Sequence, residues 1–204
     1  MQLVLGELRL GGFNDIDVVT SRTGLDASVV EATLVVARSE GWVAHRSGRV
    51  SGWSLTAPGR AEGERLLAEE LDAAGGRDVV TDAYHSFLPL NRRFLELCTD
   101  WQLRSDGHSQ ILNDHLDHEY DESVVAQLDE LDGRVAIVVG QLSSSLQRFS
   151  AYRRRFAFAL AQVHVGELDW FTKPLIDSYH TVWFELHEDL LATLGIERSR
   201  ESSS

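Results

Sequence analysis

Asp15-Ile16-Asp17-Val18-Val19, Gly24-Leu25-Asp26, Val30, Leu34 and Ala37, then Gly41-Trp42-Val43: this run decides the fold of the N-terminal part. Asp15 opens a short helix. Gly24-Leu25 makes a turn, because glycine alone enters left-handed backbone without steric cost. Asp26 caps a second helix that runs through Val30, Leu34 and Ala37, which recur at the three- and four-residue steps of one helix face. Gly41 stops that helix and Trp42-Val43 begins a strand. Ser47-Gly48-Arg49-Val50-Ser51-Gly52 reads as a hairpin tip, and Trp53-Ser54-Leu55-Thr56 as the returning strand.

Upstream, Leu3, Leu5, Leu8 and Leu10 predict a first helix ended by Gly11-Gly12. Downstream, Pro58-Gly59 starts a helix through Leu71, and Ala74-Gly75-Gly76 breaks it. The domain boundary is therefore expected there, with residues 1–74 as an α+β head. Beyond Arg77 no strand is expected. Val79, Val80, Ala83, Phe87, Leu90, Phe94, Leu97 and Trp101 keep a helical period, and Pro89 within it predicts a kink or break. Ser105-Asp106-Gly107-His108 reads as a loop. Further helices are expected from Asp121-Glu122 through Leu146, from Tyr152 to Val165, and from Leu175 to Leu194, the last between Lys173-Pro174 and Gly195. The fold class is mainly α: the head, then an all-helical bundle over 75–197, whose helices bury their apolar stripes on one another. Residues 198–204 read as a frayed tail.

Of 204 residues, 43% are hydrophobic and 25% charged, so most of the chain should be folded. One cysteine, Cys98, excludes an internal disulfide and a cysteine-rich zinc site. The longest apolar run, Val135 to Val139, is a core signal and far too short to span a bilayer. The start, Met1-Gln2-Leu3-Val4-Leu5-Gly6-Glu7, lacks the basic segment of a secretory signal, so a cytoplasmic protein without membrane partners is expected. The formal charge of −13 is uneven: residues 1–65 carry 7 Arg+Lys against 8 Asp+Glu, and the rest 12 against 24. Such acidity disfavours indiscriminate coating of nucleic acid, yet leaves room for local basic edges on a near-neutral head.

Residues 13–60 resemble the winged helix-turn-helix regulators of the MarR-like and PadR-like kind. The likeness lies in Gly24-Leu25-Asp26-Ala27-Ser28-Val29-Val30, in Ser39-Glu40-Gly41-Trp42-Val43, and in Leu55-Thr56-Ala57-Pro58-Gly59-Arg60. It implies that Asp26–Arg38 is a recognition helix for double-stranded DNA, in a homodimer. On that helix Ser28 is placed to touch a phosphate and Glu31 to accept from a cytosine amine, with Arg38 at its end. The remaining positive charge sits at Arg22 in the turn and at Arg46, Arg49 and Arg60 around the hairpin, with His45 as a further candidate. The alternative is a protein-interaction or regulatory subunit whose head docks on a partner enzyme, because Val29, Ala32 and Val35 suit a protein surface.

The body offers three groups of candidates. His115 and His118, within Asn113–Asp121, are three apart; on a helix they would share a face and could ligate a metal, against the plainer reading of an exposed acidic connector. His164, His180 and His187 are a second set. A helical, histidine-bearing body is loosely similar to the metal-holding effector domains of some GntR-type regulators, but core-edge histidines with ordinary hydrogen-bond partners are the favoured reading, and no metal or other cofactor is assigned. Third, Trp101, Tyr152, Arg154, Phe158 and Trp183 are expected to line an effector site for a small apolar or acidic molecule, with one arginine as anchor. No Gly-rich phosphate loop or nucleophile elbow occurs, so an enzyme is not expected.

Overall fold

The computed structural model describes residues 1–48, 51–105 and 109–198. The chain is mainly helical and divides into two compact units: residues 1–77 with 187–198, and residues 78–186. The first of these stretches ends at Arg77. The end of the chain, however, groups with the first unit rather than with the body.

The first unit contains α1 (Gln2–Gly11), α2 (Ile16–Thr23), α3 (Ala27–Ser39), β1 (Val43–Arg46), β2 (Gly52–Leu55) and α4 (Ala57–Ala73). Gly24 closes α2 in the left-handed region at φ 70°, its N–H donating to the Thr20 carbonyl. Asp15 and Asp26 occupy the N-cap positions of α2 and α3, but neither side chain makes a capping hydrogen bond. Thr56 does cap α4: its Oγ1 accepts from the Gly59 N–H at 3.1 Å and donates to the Gly41 carbonyl at 2.6 Å. The strands pair antiparallel from Val43 opposite Leu55 to Arg46 opposite Gly52. Asn14 extends this ladder, since its backbone exchanges hydrogen bonds with Trp53 at 3.0 and 2.9 Å. Val4, Leu5, Leu8, Val19, Val30, Leu34, Ala37 and Val43 form the buried core.

The second unit is built on α5 (Arg77–Gln102), α6 (His118–Ser145), a 3-10 turn (Gln147–Phe149), α7 (Ser150–His164), the short α8 (Asp169–Thr172), and the first part of α9 (Tyr179–Leu194). Helix α5 continues through Pro89, so no break occurs there. The structure corrects two expectations. A two-stranded hairpin, β3 (Leu103–Ser105) with β4 (Gln110–Leu112), joins α5 to α6 in what was expected to be purely helical; Asp106, Gly107 and His108 of the expected loop lie outside the described residues. Helix α9 begins at Tyr179, not Leu175, because Leu175 sits at φ 70°, a backbone state that no helix tolerates.

Aromatic packing dominates the core of the second unit. Phe94 stacks on Trp183 with centroids 4.4 Å apart, and Trp101 lies nearly parallel to Phe171 at 4.5 Å. The Trp183 Nε1–H donates to Asn91 at 2.9 Å. Buried Asp132 is satisfied by Arg153 at 2.8 Å and the Tyr179 hydroxyl at 3.1 Å. Burial, reinforced by that carboxylate, holds the Tyr179 hydroxyl well above the ordinary phenol range. No helix among the described residues is long and apolar enough to cross a membrane.

Candidate functional sites

The sequence points to the face of the first unit formed by α3 and the β1–β2 hairpin. Val30, Leu34 and Ala37 of α3 are wholly buried, which turns Ser28, Ala32, Val35 and Ser39 outward. Ser28, Glu31 and Arg38 are exposed as expected. So are Val29, Val35 and Val36, at 45, 66 and 50%. A shallow hollow of about 370 Å³ on this face is bounded by Met1, Ser28, Val29, Ala32 and Val36. The outward face of α3 is thus small and methyl-rich, and before Arg38 it offers no long donor of the kind that pairs with base edges.

The arginines divide. Arg22 is withdrawn from the expected set: its guanidinium is 15% exposed and lies 2.7 Å from Glu7, itself 8% exposed, so its charge is spent inside the unit. Arg38, Arg46 and Arg60 are exposed and have no carboxylate partner among the described residues. Arg46 lies over the Phe13 ring at 5.5 Å, and neighbouring His45 meets Trp53 edge-on at 4.9 Å. Both contacts fix polar side chains on the hairpin without neutralising them. Arg49 lies outside the described residues.

The expected effector set does not assemble. Tyr152 and Trp183 are core residues, 5 and 2% exposed. Phe158 is 54% exposed and meets Trp170 edge-on at 5.2 Å. Arg154 points to solvent. The inward arginine is Arg155, which reaches Asp177 twice at 3.1 Å and Glu185 at 2.5 Å. Burial opposes its charge, but those two carboxylates outweigh the cost and raise its pKa further.

Of that set, Trp101 borders a cleft of about 450 Å³ in the second unit. Its opposite walls come from α6 and from the end of α7. Asn113, buried ahead of α6, organises one end. Its Nδ2 donates to Asp121 Oδ1 at 2.7 Å and to the Trp101 carbonyl at 3.2 Å, and its Oδ1 accepts the His115 N–H at 3.2 Å. His115 Nδ1 lies 3.0 Å from the other oxygen of Asp121. Asn113 Nδ2 also lies 3.2 Å from His115 Nδ1, but with its two protons directed at Asp121 and Trp101, the hydrogen between His115 and the Asp121 carboxylate is donated by Nδ1. The His115 ring also packs on Trp101 at 4.5 Å, and its backbone holds φ 57°, rare for a residue with a Cβ. Across the cleft His164 Nε2 lies 2.8 Å from Asp129.

This geometry alters the histidine expectations. His115 belongs to the connector and His118 is the first residue of α6, so they do not share a helix face. No group of three or more metal-ligating side chains suited to a metal ion occurs among the described residues. His180 is half-buried against Phe94 in the second unit, and burial lowers its pKa. His187 is buried at 4% and belongs to the first unit. No spacing rule predicts that His164 and Asp129 meet, since they lie 35 residues apart on α7 and α6. Comparison with family models, curated proteins and solved structures found no match for this chain.

Proposed function

We propose that this protein is a DNA-binding transcriptional regulator whose first unit is a winged helix-turn-helix. The observation that carries the reading is the order α2, left-handed Gly24, α3, β1–β2 hairpin. Helix α3 is anchored by one buried stripe and bare on the other side, and exposed Arg38 and Arg46 stand at its end and on the hairpin. Helix α3 enters the major groove. Its affinity comes chiefly from phosphate contacts of Arg38, Arg46 and Arg60, because its outward residues are too short for bidentate base contacts. Two copies bind as a homodimer on paired half-sites.

The test is a fluorescence-anisotropy titration of the full chain against the duplex upstream of its own gene. Binding at low salt that is lost in Arg46→Ala/Arg60→Ala, with the circular dichroism unchanged, supports the proposal. No binding by the unmutated protein ends it. Exposed Val29, Val35 and Val36 favour one second reading, a head that docks on a partner protein through α3. Val35→Asp should then abolish a stoichiometric protein complex while no duplex is bound.

A further inference from the structure

We propose that the cleft of the second unit is a binding site for an organic ammonium ion carrying an apolar body. This inference is independent of the duplex-binding reading. Its volume of about 450 Å³ lies within the range of small-molecule sites. Its polar lining consists of carboxylates and histidines. Glu122 and Asp129 present carboxylates, Asp121 stands behind His115, and His118 and His164 complete the polar wall, His164 with its Nε2 2.8 Å from Asp129. No arginine or lysine lines the cleft among the described residues. The nearby Arg104 turns to Asp114 and Asp117, at 3.3 and 3.7 Å, neither of which lines the cleft.

Three carboxylates with no arginine or lysine in the described lining disfavour a carboxylate or phosphate ligand and complement a cationic donor. This replaces the acidic effector expected from the sequence. The rest of the wall is apolar, through Trp101, Val125, Val163 and Leu168, so a small hydrated inorganic cation would leave it unmatched. Metal ligation needs several donors converging on one point, and the described residues provide no such group. The left-handed His115 backbone and the buried Asn113 bonds hold the acceptor end in place before any ligand arrives, which lowers the cost of binding.

The probes are 2-phenylethylamine, 2-phenylethanol and phenylacetate, with zinc chloride as a fourth arm, titrated into the full chain at about pH 8, where the amine is protonated. Histidine ring signals in NMR report the site. The amine should shift the His115 and His164 signals and bind at least about tenfold more tightly than the alcohol, and phenylacetate should not bind. Glu122→Gln/Asp129→Asn should weaken the amine at least about fivefold and leave the urea unfolding midpoint unchanged. Val125→Trp, which fills the cleft, should abolish binding. Equal affinity for amine and alcohol, tighter binding of phenylacetate, stoichiometric zinc at the same histidines, an unaffected carboxamide variant, or no amine binding up to about 10 mM would each overturn the proposal.

Discussion

Replacing Asn113 with alanine tests whether one buried amide organises the end of the cleft. The side chain makes a 2.7 Å bond to the Asp121 carboxylate and two 3.2 Å bonds to backbone groups, at 9% exposure. A hydrogen bond to a charged group contributes about 1.5–3 kcal/mol and a neutral one about 0.5–1.5 kcal/mol. The two longer bonds sit at the lower end, and Asp121 keeps its His115 partner. The expected loss is therefore about 2–4 kcal/mol. Asn113→Asp has the same shape but sets two carboxylates about 2.7 Å apart, so one must stay protonated near neutrality. It should destabilise as much or more, and recover part of the loss as the pH falls. Urea unfolding of the full chain measures both. The nitrogen NMR shifts of His115 should show Nδ1 protonated in the parent and a mixture of tautomers in Asn113→Ala. A loss below about 0.5 kcal/mol with the tautomer unchanged would refute the reasoning.

Burial pushes the Cys98 thiol up to about 12, so at pH 8 it should resist iodoacetamide in the folded protein and react only in denaturant; mass spectrometry reads the adduct. His180 has its pKa lowered by burial, so folding favours its neutral form. Its contribution is complete above the unfolded value of about 6.5 and is lost as the pH falls below that towards the lower folded value. His180→Phe should flatten the fall in stability between about pH 7 and 5, as urea midpoints will show. A Cβ at Gly59 would lie 1.8 Å from the Trp42 carbonyl oxygen, so Gly59→Ala should cost at least about 1–3 kcal/mol in thermal or urea unfolding.

The local pattern of the first unit was legible because short-range rules govern it. Val30, Leu34 and Ala37 mark one face of α3, and Gly24 and Gly41 supply positive φ where the chain turns. The burial stripe of α5 was equally plain from Val80 to Trp101, and the helix runs on through Pro89. What stayed hidden depends on packing. The partner of Arg22 is Glu7, a helix away in sequence. The β3–β4 hairpin has only three residues per strand and is held beside α6 by the Tyr120 hydroxyl, which donates to the Asp100 and Leu103 carbonyls. His115 meets Asp121 through a left-handed residue that no periodicity reveals. One signal was present and unread. Tyr152, Phe156, Ala159 and Val163 form the buried stripe of α7, which brings Arg155 to its flank and sends Arg154 to the far side.

The measurement that tests the duplex-binding account most directly is the salt dependence of DNA affinity, for the parent and for Arg38→Ala/Arg46→Ala/Arg60→Ala. Each phosphate contact contributes about 0.9 to the slope of log affinity against log salt. The account predicts a steep slope in the parent that becomes shallower by about 0.9 for every arginine removed from each copy of the chain. Identical slopes in the two proteins, or an affinity that salt does not change, would contradict it.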